Sequence, residues 1–160
     1  LESSKFVYKN ESIYVNQENL TDMIRDKNIS QHVSLVSSIQ YVRETLVRVQ
    51  QEIAKNHDVV MDGRDIGSVV LPHAQVKIFL TAQIEERAKR RIHELGVDIP
   101  LKQMIEDIQT RDLKDSTRAI SPLTKASDAV IIDTTYLTKK EVIELILSEI
   151  NKRKQAHAKY

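Results

Sequence analysis

Three short runs of β-branched and aliphatic residues, each set between stretches of helical periodicity, constrain this chain more than any other feature. They are Val59-Val60-Met61, Val76-Lys77-Ile78-Phe79-Leu80 and Ala129-Val130-Ile131-Ile132. Runs this short and apolar fit strands buried on both faces, and parallel strands are the ones that need a helical crossover between successive members. The order therefore predicts an α/β fold with a parallel sheet between helices. The helices themselves are legible. Val42, Leu46, Val49 and Ile53 form one apolar stripe and predict a helix from about Ile39 to Asn56. Another opens after Thr81, with Glu85 and Glu86 in the first turn, where carboxylates meet the positive end of the helix dipole. A third starts near Pro100, with Leu101, Met104, Ile105 and Ile108 turned inward. The last begins with the capping box Thr138-Lys139-Lys140-Glu141, and the polar tail after Asn151 is expected to fray.

The amino-terminal stretch follows a different pattern. Lys5-Phe6-Val7-Tyr8 and Ser12-Ile13-Tyr14-Val15 flank the turn-prone Lys9-Asn10-Glu11, which predicts a hairpin, and a short helical piece is expected near Leu20 to Arg25.

Composition narrows the function classes. A chain of 160 residues with 41% hydrophobic and 29% charged residues can bury one core. A net charge of +1 gives no bulk attraction to nucleic acid or to a membrane surface, so any positive site is a local cluster. There is no cysteine, which excludes disulfides and thiolate metal sites, and the five histidines lack metal-ligand spacing. No apolar run reaches membrane-spanning length and no signal peptide is visible, so cytoplasmic residence is the expectation. The chain opens on Leu1-Glu2-Ser3-Ser4, and glycine is limited to Gly63, Gly67 and Gly96, where an ordinary domain has about 7%. A glycine-rich segment outside these residues is therefore expected.

Four constellations carry candidate chemistry. Asp62-Gly63-Arg64-Asp65-Ile66-Gly67-Ser68-Val69-Val70-Leu71-Pro72 follows the first expected strand, and open α/β sheets bind ligands at the carboxyl ends of their strands. Arg64 offers a planar fork to a phosphate and Asp65 accepts from a ligand donor; the bland alternative is a turn with a surface ion pair. Arg111, Asp115 and Arg118 share one face of a helix that continues that far, a cation–anion–cation row that suits a phosphate-bearing ligand. Taken alone, such a row is more often a solvated ladder. Arg87, Arg90 and Arg91 make a positive stripe suited to ATP phosphates, or an ordinary surface balanced by Glu85, Glu86 and Glu94. Ser34 and Arg43 flank a helix start, where Ser34 also fits a cap or turn and Arg43 also fits a surface pair with Glu44 or Asp22.

These residues stand in a specific order: His32-Val33-Ser34, Tyr41-Val42-Arg43-Glu44, Met61-Asp62-Gly63-Arg64-Asp65-Ile66-Gly67, Lys77-Ile78-Phe79-Leu80-Thr81-Ala82, Glu85-Glu86-Arg87-Ala88-Lys89-Arg90-Arg91, Arg111-Asp112, Asp115, Arg118, Ser121-Pro122-Leu123, Asp128-Ala129-Val130 and Asp133-Thr134-Thr135. Over nearly its whole length the chain resembles the bacterial cytidylate kinases. That resemblance implies a P-loop nucleoside monophosphate kinase fold: a parallel sheet between helices, a small antiparallel insert domain and a helical lid. Residues 1–30 then correspond to the monophosphate-binding insert. Residues 31–160 form the remainder of the kinase core, with the lid at about 87–118. The family's G-x-x-x-x-G-K-[ST] phosphate loop has no counterpart in these residues, and neither does its Asp-Thr-Gly motif. Both are expected outside this stretch. The segment from Arg91 to Pro100 is also a few residues shorter than the family usually has.

The resemblance implies transfer of a phosphate from ATP to CMP or dCMP, with Mg2+, in a monomer that needs neither nucleic acid nor membrane. Arg64 is then the ligand of the acceptor phosphate. Ser34, Arg43, Asp65 and Arg118 read cytosine, and Arg111 and Asp115 lie near the sugar, Asp115 on its hydroxyls. Arg90 and Arg91, with Arg87, face the transferred phosphate. The chemistry agrees: cytosine offers O2 and N3 as acceptors and N4 as donor, which match arginine and carboxylate. The alternatives are another nucleoside monophosphate kinase, such as a UMP or AMP kinase, and a non-catalytic nucleotide-binding module without a phosphate loop. The Asp65 carboxylate argues against uracil, whose O4 is an acceptor.

Overall fold

The computed structural model describes residues 4–10, 12–25 and 27–157. Two compact units divide between Val59 and Val60.

The first unit opens with a three-stranded antiparallel sheet, β1 (Phe6–Lys9), β2 (Ser12–Val15) and β3 (Glu18–Asn19). Phe6 pairs with Val15 and Lys9 with Ser12, so the hairpin expected from the sequence forms, its first strand shifted one residue along the chain. Asn10 takes φ 51°, the left-handed conformation that asparagine tolerates at a tight turn; Glu11 lies outside the described residues. Asn16 and Gln17, at φ 50° and 75°, make the second two-residue turn, closed by the Val15–Glu18 pair. Thr21 fastens the end of the sheet: its hydroxyl accepts from the Ile13 N–H at 3.0 Å and donates to Asn19 Oδ1 at 2.6 Å. A single 3-10 turn follows at Met23–Arg25, within the expected helical piece.

Two helices complete this unit. Helix α1 (Lys27–Val36) is not among the helices expected from the sequence, although Ile29, Val33 and Val36 repeat with helical spacing. All three of those side chains are exposed, so their periodicity marks the helix without marking a core. The second, α2 (Gln40–Asn56), matches expectation within a residue.

In the second unit β4 (Ile78–Thr81) and β5 (Val130–Asp133) pair in parallel, Ile78 with Val130 through Thr81 with Asp133. The crossover between them holds α3 (Ile84–Leu95) and α4 (Leu101–Ser116), and α5 (Lys139–His157) follows β5. Val70, Ala88, Met104 and Ile132 are the buried apolar residues of the described chain. Three expectations are corrected here. Val59-Val60-Met61 forms no ladder and Val60 is almost wholly exposed, because an apolar run becomes a strand only when a neighbour takes its N–H and C=O groups. Nor are β4 and β5 buried on both faces: Leu80 and Ile131 stand exposed. The tail expected to fray after Asn151 is helical through its described part: α5 continues to His157, with Lys152 paired to Glu149, and residues 158–160 lie outside the described residues.

Helix ends follow the local chemistry. Pro100 occupies the N-cap of α4. Gly96, at φ 60°, ends α3 in a left-handed turn whose N–H reaches the His93 carbonyl at 3.3 Å, a conformation that favours glycine. The Thr138–Glu141 box closes in both directions. The Thr138 N–H donates to Glu141 Oε2 at 2.7 Å, and the Glu141 N–H returns to Thr138 Oγ1 at 3.3 Å. None of the described helices is long and apolar enough to cross a membrane.

Candidate functional site

Between Met61 and β4 the chain makes one π turn, Ile66–Val70, entered from Asp65. The Asp65 carbonyl accepts the N–H groups of Ser68, Val69 and Val70 at 3.3, 2.8 and 3.2 Å, and Ile66 accepts from Leu71 at 2.7 Å. A turn wound this tightly needs the backbone of Gly63 close beside it: a Cβ there would lie 2.9 Å from Ile66 Cγ1. Single π turns recur at functional sites because they re-aim side chains out of helical register. Here the turn buries the Asp65 side chain and leaves the Arg64 guanidinium half-exposed.

Asp115, in the last turn of α4, is 1% exposed. Three arginines meet its carboxylate. Arg64 Nε lies 3.0 Å from Oδ2, Arg118 donates to Oδ1, and Arg111 Nε stands 4.0 Å from Oδ2. Arg118 does not continue the helical row expected from its spacing. Helix α4 ends at Ser116, and the Thr117 N–H turns back to the Leu113 carbonyl at 3.0 Å, so Arg118 reaches Asp115 from beyond the helix end. The following loop is tied to the same residue, since the Leu123 N–H donates to the Asp115 carbonyl at 2.8 Å. Ser121 takes φ 52° to make that return, a strained conformation of the kind that clusters at functional sites.

The cluster is therefore no solvated ladder. Three guanidinium charges stand against one buried carboxylate, which leaves the site net positive and suited to an anion. Exposure grades the arginines: Arg118 is 12% exposed, Arg64 34% and Arg111 52%. Arg118 is the fixed member, whereas Arg64 and Arg111 reach solvent and can turn to a ligand.

The stripe on α3 is divided among separate partners. Arg87 forks onto Asp112 of α4 at 2.6 and 3.0 Å, and that carboxylate raises its pKa above the ordinary arginine value. Arg91 pairs with Glu94 at 2.8 Å on the same helix. Arg90 reaches the loop after β5, where it donates to Thr134 Oγ1 at 3.0 Å, to the Thr134 carbonyl, and to the Thr135 carbonyl at 3.2 Å. That loop is itself knotted: Asp133 Oδ1 accepts from the Thr135 N–H at 2.9 Å and from its hydroxyl, which holds the Asp133 carboxyl below the usual carboxylate range. Nothing in the spacing marks Asp112 as the partner of Arg87, 25 residues away.

Ser34 lies in α1, its side chain outside the described residues, and Arg43 is a half-buried residue of α2. Among the described residues no three histidine, aspartate or glutamate side chains gather as metal ligands.

The arginine cluster at the carboxyl end of α4 has the charge and donor geometry that suit a phosphate-bearing ligand. The family model for cytidylate kinase matches residues 1–152. The cytidylate kinase of Acholeplasma laidlawii (strain PG-8A) is 46% identical over 155 residues, covering 92% of this chain and 70% of that protein. That of Ligilactobacillus salivarius (strain UCC118) is 51% identical over 146 residues, covering 89% and 65%. That of Caldanaerobacter subterraneus subsp. tengcongensis is 50% identical over 145 residues, again covering 89% and 65%. The chain belongs to the cytidylate kinase family, and it spans about two thirds of the length of the curated relatives it matches.

Proposed function

We propose that the protein carrying this chain is a cytidylate kinase of the P-loop nucleoside monophosphate kinase fold, transferring the γ-phosphate of ATP to CMP or dCMP in pyrimidine nucleotide metabolism. A bond forms between an oxygen of the acceptor phosphate and the γ-phosphorus. The bond from that phosphorus to the ADP oxygen breaks, giving ADP and CDP or dCDP. The observation that carries the reading is the buried Asp115 with Arg64, Arg111 and Arg118 drawn around it, in a member of this family.

In this reading Asp115 assembles the guanidinium groups before the ligand arrives, so that little reorganisation remains when charge develops. Arg64, partly exposed and anchored through Nε, keeps the rest of its fork for the acceptor phosphate. Arg111 serves the sugar and the transferred phosphate, and Asp115 accepts from the sugar hydroxyls. Ser34, Arg43, Asp65 and Arg118 read cytosine. Arg90 and Arg91, with Arg87, belong to the lid and turn to the transferred phosphate in exchange for their present carboxylate and carbonyl partners. A phosphate dianion is a stronger acceptor than the neutral hydroxyl and carbonyls that hold Arg90, and it competes with the part-exposed carboxylates on Arg87 and Arg91.

ATP is the donor substrate, and its phosphate loop is expected outside these residues. Mg2+ would neutralise charge on the nucleotide phosphates, held chiefly by those phosphates and by water. The protein acts in the cytoplasm as a monomer in this reading.

The deciding measurement is kcat/KM for CMP, dCMP and UMP in the full-length protein. Strong preference for the two cytidylates supports the reading, and indifference to the base overturns it.

A further inference from the structure

Lys77 immediately precedes β4, with its side chain only 8% exposed, a rare setting for lysine. Its ammonium donates to both oxygens of Asp128, at 2.9 and 2.8 Å, and to the carbonyl of Pro72, so each of its three hydrogens has an acceptor. The pairing holds the Asp128 carboxyl below the usual carboxylate range. The aliphatic stem lies along Gly67, where a Cβ would meet Lys77 Cδ at 3.4 Å and Cγ at 3.6 Å. The Lys77 carbonyl also accepts the Val130 N–H at 2.9 Å, where the β4–β5 ladder begins.

One residue thus touches the Asp65–Pro72 turn twice, at Gly67 within the π turn and at Pro72 just after it, and fixes that turn to both strands. The turn is stiff through the bonds on the Asp65 and Ile66 carbonyls, so holding it at these points sets where Arg64 and Asp65 stand relative to Asp115. We infer that Lys77 is a positioning residue for the acceptor-nucleotide site, clamping the turn that carries Arg64 and Asp65 to the parallel strands. This inference rests on the functional reading given above.

Removal of the ammonium is a local change. Asp128 is 57% exposed and Pro72 lies at the surface, so both rehydrate when their partner is lost. The fold then persists while the turn gains freedom, and an error of ~1 Å in a binding group costs on the order of 10²-fold in catalysis.

The test uses Lys77→Met, which keeps the stem, together with Asp128→Asn and the double variant, all in the full-length protein. KM for CMP, KM for ATP and Tm are measured for each. Lys77→Met is expected to raise KM for CMP about tenfold and KM for ATP by less than about twofold, as a misplaced acceptor site requires. The double variant is expected to be no worse than Lys77→Met, since both changes break one tie. A lowered Tm with both KM values unchanged overturns the inference, as does an equal rise in both. If Lys77→Met is not recovered folded, Asp128→Asn alone decides by the same criterion on KM for CMP. A wild type that binds no CMP overturns the functional reading first, and the role of Lys77 with it.

Discussion

Arg64 Nε lies 3.0 Å from Asp115 Oδ2, which joins a turn preceding β4 to the last turn of α4. The contact is one of charge rather than an aligned hydrogen bond, since among the described residues no hydrogen-bond donor stands in line with this oxygen. A guanidinium held this way is oriented without having its fork saturated.

Stability should depend on Asp115. Asp115→Ala leaves three arginines around an empty buried position, and breaking a buried ion pair costs about 3–5 kcal/mol. Partial exposure of Arg64 and Arg111 puts the expected loss at about 3 kcal/mol, the low end of that range. Urea unfolding at constant m measures it. A midpoint indistinguishable from wild type would show that the cluster holds nothing together.

Base choice should depend on Asp65 and not on Arg64. Uracil replaces the N4 donor of cytosine with an acceptor, and sites built on a ligand's hydrogen bonds reject such analogues by about 10⁴-fold. Asp65→Ala is expected to hurt CMP more than UMP, and Arg64→Ala to hurt both alike through the phosphate. Equal losses on the two substrates for Asp65→Ala would remove Asp65 from base recognition.

The Arg87–Asp112 pair separates a packing role from a phosphate role. Arg87→Ala and Asp112→Asn both loosen α3 from α4, each by roughly 1 kcal/mol for a partly exposed fork. Only Arg87→Ala should raise KM for ATP, because Asp112→Asn frees the guanidinium instead of deleting it. Matching KM values in the two variants would confine Arg87 to holding the helices.

Acid should destabilise the protein through identifiable carboxylates. Asp128 is lowered by its hydrogen bonds from Lys77, Asp133 by those from Thr135, and Glu141 by those from Thr138. A carboxyl whose folded pKa lies below its unfolded value contributes stability that is complete above the unfolded pKa, about 4, and is lost as pH falls through the folded one. Tm is therefore expected to be insensitive to these groups above pH ~5 and to fall below pH ~4, less steeply in Asp133→Asn and Glu141→Gln. An acid limb of unchanged slope in both variants would show that other carboxylates govern it.

The two glycines of the turn should respond differently to alanine. At Gly63 the added Cβ would lie 2.9 Å from Ile66 Cγ1, whereas at Gly67 it meets only the Lys77 stem at 3.4 Å and beyond. Overpacking costs about 1–3 kcal/mol, so Gly63→Ala is expected to lose about 1 kcal/mol or more and Gly67→Ala little. The reverse order in thermal denaturation would contradict this packing.

By itself the sequence determined what depends on near neighbours. The hairpin, α2 through α5 and the Thr138–Glu141 cap follow from periodicity and end signals, because helices and turns draw their hydrogen bonds from residues close in the chain; the apolar runs at Ile78 and Val130 marked candidate strands, which pair with each other across the crossover. The ordered motifs also carried the family. Tertiary structure decided what depends on distant partners. Val59-Val60-Met61 has strand composition but no neighbouring ladder, and periodicity cannot supply one. The row Arg111, Asp115 and Arg118 has the spacing of a solvated face. It becomes a buried charge cluster because the chain turns back after Ser116 and Arg64 comes in from a separate loop, covering the carboxylate. Burial and partnership set the meaning of a charge, and both are fixed by the three-dimensional path of the chain.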